Sequence, residues 1–167
     1  MLEFRVKFTE KKLFVLPQTF MKNIISHLRK KHILVVGDLI LDQHIKGSVS
    51  RISPEAPVPV VLQQGDPSFA PGGAANVANN LRSLGAKVTL VGRIGNDLEG
   101  RIFLKEIQKK GIAGAGIFQD KTFPTIVKTR IIAQHQQVLR LDRERINGAL
   151  NPLLNQKILK FIQKNIK

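Results

Sequence analysis

The chain has 167 residues, and its 27 Lys and Arg against 12 Asp and Glu give a formal charge of +15. With no cysteine among them, a disulfide framework and a thiolate metal site are both excluded, and no two of His27, His32, His44 and His135 stand at metal-ligand spacing. The length suits one domain with a real core, and neither a membrane span nor a signal peptide is expected, which makes a reducing, cytoplasmic setting the default.

Residues 1–17 are mixed and irregular and read as an extension. Phe20, Ile24, Ile25 and Leu28 then recur at helical spacing up to Lys31, with bases in the last turn that complement the helix dipole. Ile33 to Val36 is wholly apolar and closes on Gly37-Asp38, the pattern of a buried parallel strand with a functional loop at its carboxyl end. Residues 44–64 hold Pro54, Pro57 and Pro59 among β-branched residues, with Val58 to Leu62 extended. That proline content excludes a central strand and predicts an edge strand or flap. Gly72-Gly73 opens a helix with Ala74, Val77, Ala78, Leu81 and Leu84 on one face and Gly85 just past its end.

Val88 to Val91 is the next predicted strand. Asn96 or Asp97 caps a helix carrying Leu98, Ile102, Phe103 and Ile107, which Gly111 stops after Lys109-Lys110. Strand, helix, strand, helix at this spacing predicts a parallel α/β sheet. Ile126 to Ile132 alternates, with Val127, Thr129 and Ile131 against Lys128 and Arg130, and Val138 to Leu141 pairs with it across a short polar turn. Asn151-Pro152, a cap followed by a proline at the first helical position, opens a last helix with Leu154, Ile158, Phe161, Ile162 and Ile166 on one face.

The charge raises the prospect of a polyanionic partner. Yet the bases are dispersed apart from Arg29-Lys30-Lys31-His32, and the aromatics are all Phe, so a nucleic-acid surface is not expected. A lysine-rich solvated surface or a site for acidic phosphate ligands accounts for the charge as well.

Three local features carry chemistry. Asp38 and Asp42 follow the first buried strand, where a carboxylate either satisfies loop amides or accepts hydrogen bonds from ligand hydroxyls. Pro71-Gly72-Gly73-Ala74-Ala75-Asn76 lets backbone approach a ligand, offers free amides at a helix start and adds a donor and acceptor in Asn76. The same glycines also suit tight packing alone, and neither the dinucleotide nor the P-loop fingerprint is present. Ser50 to Val60 is a proline-rich flap whose Arg51 can meet a phosphate bidentately.

The order Gly-Asp-x-x-x-Asp, Ser-Arg-Ile-Ser-Pro-Glu-Ala-Pro-Val-Pro-Val and Pro-Gly-Gly-Ala-Ala-Asn-Val-Ala resembles the ribokinase-like (PfkB) carbohydrate kinases, and within them the heptose-7-phosphate kinase branch. Gly95-Asn96-Asp97, Phe123 to Arg130 and Gln136 to Asp142 support it, and the likeness runs from about Ile33 to the final helix. It implies an α/β fold, a parallel sheet with helices on both faces plus a small β lid. Residues 1–32 would then be extension and first helix, and 33–167 the N-terminal half of the kinase domain, with lid segments at about 44–64 and 125–142.

The resemblance implies ATP-dependent, Mg2+-supported phosphorylation of a sugar, in this branch at the anomeric hydroxyl of D-glycero-D-manno-heptose 7-phosphate, in ADP-heptose and lipopolysaccharide core synthesis. Asp42, with Asp38 beside it in the same loop, and Gly72, Gly73 and Asn76 match the family's sugar-binding positions. Ala74 stands where many members have lysine, and the heptose branch also has alanine there. Arg51 and Arg140 are candidates for the 7-phosphate by chemistry alone. The family's Gly-Ala-Gly-Asp, which holds the general base, has no counterpart, since Gly114-Ala115-Gly116 is followed by Ile117. The chain is therefore expected to be the sugar-binding half of a kinase domain, without catalytic base or complete nucleotide site, that associates through its lid strands or with a complementary C-terminal fragment. The alternatives are another PfkB sugar kinase fragment or a non-catalytic polyanion-binding module.

Overall fold

The computed structural model describes residues 5–7, 13–15, 18–145 and 151–166. Two short strands, β1 (Arg5–Lys7) and β2 (Leu13–Val15), pair antiparallel within the segment expected to be irregular. Helix α1 (Gln18–Leu28) leads into β3 (His32–Val36). Helix α2 (Ala74–Ser83), strand β7 (Lys87–Gly95), helix α3 (Leu98–Lys109) and strand β8 (Ala113–Asp120) follow later in the chain, and β3, β7 and β8 form a parallel sheet in the order β3-β7-β8. Helix α4 (Pro152–Asn165) packs on β8, where Phe118 and Phe161 meet edge to face at 6.0 Å.

Between β3 and α2 the chain builds a second sheet from β4 (Leu39–Ile52), β5 (Pro59–Gln63) and β6 (Ser68–Gly73), completed later by β9 (Ile126–Ala133) and β10 (Gln136–Arg143). Its order is β10-β9-β4-β5, with β6 also pairing β4. Strand β4 runs parallel to β9 from Ile40↔Ile126 to Gly47↔Ala133, and antiparallel to β6 along its first half and β5 along its second. Residues 44–52 are thus half of a central strand. The prolines that argue against one lie only beyond residue 53, and β5, which starts at Pro59, is an edge strand as its proline requires.

The core sits where the base of the lid sheet meets α2, α3 and β7. Leu39, Leu41, Ala75, Ala78, Leu90, Ile94, Phe103 and Ile107 are buried there. Helix α2 turns inward a face rotated slightly from the one its periodicity suggests, with Ala74, Ala78 and Leu81 of the expected set on the core and Ala75 joining them. Ala75 and Ala78 are fully buried, while Val77 and Leu84 face solvent, as does Leu98 in α3. Two alanines in contact let the helix backbone approach the sheet closely, which larger side chains would prevent. Both helices end as expected, with Gly85 and Gly111 at positive φ and backbone amides closing on the last turn. Asn151 caps α4 by accepting from the Leu153 and Leu154 amides. Among the candidate caps of α3 the structure selects Asp97, which accepts from the Gly100 amide at 2.8 Å.

Candidate functional site

Strand β3 ends at Val36, and Gly37-Asp38 is the only break before β4 begins at Leu39. Asp42 is therefore a strand residue, three positions into β4, and does not share the loop of Asp38. Period-two alternation sends Leu39 and Leu41 into the core and Ile40, Asp42 and His44 to the other face. On that face the pairing registers create charged rows across four strands. One row is Asp142, Lys128, Asp42 and Ala70; the next is Arg140, Arg130, His44 and Ser68.

The neighbours of Asp42 decide what it can do. Its Oδ1 accepts from Arg130 Nη1 at 2.5 Å. Its Oδ2 has no hydrogen-bond partner among the described residues and lies against Gly72, where a Cβ would collide with the carboxylate. Gly72 therefore leaves one carboxylate oxygen uncovered, and Arg130 fixes the plane of the group. Gly73 sits at φ 57°, a conformation that favours glycine, and a Cβ there would lie 2.5 Å from the Asp38 carbonyl oxygen. That same carbonyl accepts from the Ala74 amide at 3.0 Å and closes the strand-to-helix turn. Asp38 thus shapes the site through its backbone, with its side chain exposed, and Asn76 is exposed on the first turn of α2. Asp38, Asp42, Gly72 and Gly73 come together at the carboxyl end of β3, with Asn76 one helical turn along.

The two arginines chosen by chemistry are not placed alike. Arg51 is near the far end of β4, about 30 Å from Asp42 at ~3.3 Å per residue, so within one chain it cannot share a small ligand with Asp42. Arg140 lies two strands from β4 on the charged face, where its Nε donates to Asp142 Oδ1 at 2.9 Å. Lys128 donates to the other Asp142 oxygen, also at 2.9 Å, and this bond holds the Asp142 carboxyl below its ordinary range, with Arg140 adding to it. Arg130 and Lys128 are the functional candidates that pattern alone misses. Their alternation marks a polar face, but the contact with Asp42 requires the parallel β4–β9 pairing, which no local pattern reveals.

A second cluster lies at the carboxyl end of β7. Asp97 accepts from Thr125 Oγ1 at 2.6 Å, the Thr125 amide at 2.9 Å and the Gly100 amide, while Thr125 Oγ1 in turn accepts from the Gly95 amide at 2.9 Å. Burial alone would raise the Asp97 carboxyl, but the Thr125 and Gly100 donors outweigh it and the group is held below its ordinary value. Arg143 bridges to Glu99 at 2.9 Å and reaches Asp97 at 3.7 Å. Beside it Asp120 accepts from the Thr122 amide and hydroxyl, and Arg93, 3.7 Å from Asp120, lies over the Phe123 ring at 3.5 Å. Every oxygen of Asp97 is committed, so this cluster holds the base of the lid to the parallel layer. The run Gly114-Ala115-Gly116 falls inside β8, where Gly116 lets the Leu90 carbonyl approach, so it forms strand and not an anion-binding helix start.

The model of the pfkB family carbohydrate kinases matches residues 30–165. The chain is 53% identical over 137 residues to the bifunctional protein HldE of Helicobacter pylori, covering 82% of this chain and 29% of that protein. To the protein of the same name from Magnetococcus marinus it is 46% identical, covering 80% and 28%. It thus spans less than a third of the length of these curated relatives. Among solved structures, a carbohydrate kinase from Agrobacterium tumefaciens superposes with a TM-score of 0.54 at 24% identity, covering 68% of this chain and 35% of that one. Arabidopsis thaliana ribokinase, complexed with ribose and ATP, gives 0.54 at 17% identity over the same shares. The solved structures establish the ribokinase-like α/β fold, and with the family model and the sequence relatives they show that this chain belongs to the pfkB family of carbohydrate kinases.

Proposed function

We propose that this chain provides the sugar-binding face of a heptose-7-phosphate kinase, with ATP as phosphoryl donor and Mg2+ as its counter-ion. The observation that carries the assignment is the uncovered Oδ2 of Asp42 against Gly72, with Oδ1 fixed by Arg130. An oriented carboxylate with a free oxygen over a glycine-lined surface suits acceptance of two sugar hydroxyls, and Gly72, Gly73 and Asn76 leave room and donors for the rest of the ring. Arg130 and Arg140, adjacent in one row, are the cations on this face best placed for the substrate phosphate.

ATP supplies the γ-phosphoryl group when bound. The residues of this chain bind and orient the acceptor sugar and keep the carboxylate of Asp42 in place. The described residues contain no cluster of three or more His, Asp or Glu side chains able to hold a metal, and no residue here is assigned to Mg2+. Nor is any residue here assigned as catalytic base. The 167-residue protein by itself is therefore expected to bind heptose 7-phosphate but not to turn over ATP, because a missing base alone removes a factor of about 10²–10⁴. The setting is proposed to be cytoplasmic. Self-association through the lid is part of the same proposal, since Leu139, Leu141, Leu62 and Ile52 are exposed there.

Calorimetric titration with heptose 7-phosphate, fructose 6-phosphate and ribose tests the reading. It is supported by saturable binding that prefers the heptose and is lost in Asp42→Ala. A preference for either other sugar would point to a different PfkB kinase, and equal affinity of wild type and Asp42→Ala would overturn the site. Sugar-dependent ADP release by the purified chain would overturn the assignment of no base.

A further inference from the structure

The amino ends of the three parallel strands, opposite the sugar site, open onto a cleft of ≈ 740 Å³ lined by Arg29, Lys30, Lys31, His32, Arg82 and Lys87 with Gly85, Gly111 and their neighbours. Among the described residues no acidic side chain lines it. Among the described residues none of these five Lys and Arg side chains lies within ion-pair distance of a carboxylate. The one clustered run of bases in the sequence, Arg29-Lys30-Lys31-His32, therefore converges in space with Arg82 and Lys87.

Two of the arginines are seated by the helix ends. A Cβ on Gly85 would lie 2.7 Å from Arg29 Cγ, so the absence of a side chain there makes room for the Arg29 stem. Arg82 Nε donates to the Gly111 carbonyl oxygen at 3.3 Å. The carbonyl ends of α1, α2 and α3 face this edge, and each helix end carries about −0.5 of an elementary charge. Together they offset roughly −1.5 against five full positive charges, so the cleft keeps a large positive surplus. Moreover, the terminal carbonyls of α2 and α3 are already met by the amides of Gly85, Ala86, Gly111 and Ile112. The bases are not needed to cap the helices.

We propose that this cleft binds a compact, multivalent phosphate anion, at a site separate from the sugar site. A surplus of several charges around one concavity favours a ligand carrying several negative charges close together. Among the described residues no Phe lines the cleft, so they offer no stacking platform of the kind single-stranded nucleic acid depends on, and a short polyphosphate chain fits better than an oligonucleotide.

The test is calorimetric titration of the full chain with sodium tripolyphosphate at near-physiological salt. Lys30→Gln/Lys87→Gln is compared with Lys105→Gln/Lys121→Gln, which removes the same charge from exposed positions on α3 and after β8. Circular dichroism melting of each variant shows that it is folded. The expected result is saturable binding by the wild type, weakened about tenfold or more in the cleft variant and less than about threefold in the other. Equal losses in the two variants, no binding by the wild type, or tighter binding of a twelve-residue oligothymidylate at equal phosphate concentration would each overturn the proposal. Binding of heptose 7-phosphate is followed in the same cleft variant. Its persistence there keeps the two sites separate, and its loss there would overturn their separation.

Discussion

Asp97 and Asp42 occupy comparable places, each close to the carboxyl end of a parallel strand, yet their surroundings differ throughout. Asp97 accepts from two amides and a hydroxyl, and its acceptors are filled by Thr125, Gly100 and the nearby Arg143. Asp42 accepts from one arginine and presents its second oxygen to a glycine. Saturated carboxylates stabilise a fold, because every lone pair is met by a donor that burial would otherwise leave unpaired. A carboxylate that is oriented but only half satisfied is available to a ligand. The same side chain thus serves packing in one region and, on the proposed reading, recognition in the other, and the count of donors separates the two roles.

The comparison breaks most visibly if Asp97 is removed. Asp97→Ala loses the α3 cap and leaves the fully buried Thr125 without its partner, at a cost of about 3 kcal/mol, or roughly 10 °C in melting temperature. Thermal melting followed by circular dichroism checks this, and a change under 3 °C would contradict the structural role. Thr125→Val tests the same cluster from the other side and is expected to cost about 2 kcal/mol, since the Gly95 amide and Asp97 both lose a partner.

Asp42→Ala is expected to do the opposite. Heptose 7-phosphate affinity falls about 10- to 100-fold, as charge-assisted hydrogen bonds of roughly 1.5–3 kcal/mol imply, while the melting temperature changes little. Loss of stability as large as in Asp97→Ala would erase the distinction between the two sites.

Acid titration sharpens the contrast. The Asp97 carboxyl is held down by Thr125 and Gly100 against burial, and that of Glu99 is held down by Arg143 first of all. Asp120 follows the pattern of Asp97, with Thr122 outweighing burial. In the unfolded chain all three take up protons at roughly pH 4, before they do so in the fold. Their contribution is therefore complete above about pH 5 and lost as the pH falls through the lowered folded values. Denaturant midpoints measured from pH 7 to pH 3 should fall steeply only below about pH 4, and less steeply in Asp120→Asn. The smallest effect is expected for Lys128→Gln, whose partly exposed pairing with Asp142 should leave the midpoint unchanged within error.

The parallel layer is the legible part of this fold. Apolar runs such as Ile33 to Val36, a capped helix at Asp97 and stop glycines at Gly85 and Gly111 are all local signals, and local signals survive folding. Strand β8 is the exception, because Ala113-Gly114-Ala115-Gly116 has no apolar run and becomes strand only through β7 and Phe161 packed against it. The lid is less legible. Proline marks β5 as an edge, but β4 and β9 meet across 86 residues, and the pairing decides that Arg130 reaches Asp42 and that Arg51 does not. The proposed sugar-site positions on the β3–β4 break, in β4 and around the start of α2 follow from family resemblance, whereas the arginine that orients the carboxylate needs the register.

Strand β4 runs from the proposed site to the far end of its sheet as one strand, with a single irregularity between Val49 and Arg51. Its 14 residues carry Asp42 at one end and Ile52 at the other, with Gly47 between them where a side chain would strike the Leu62 carbonyl. At ~3.3 Å per residue, Ile52 stands about 33 Å beyond Asp42. On the proposed sugar site, the strand is a lever with its fulcrum at Asp42. A tilt of about 5° at Asp42 would swing the tip through roughly 3 Å over that length, so angular order at Asp42 is amplified into displacement at the rim.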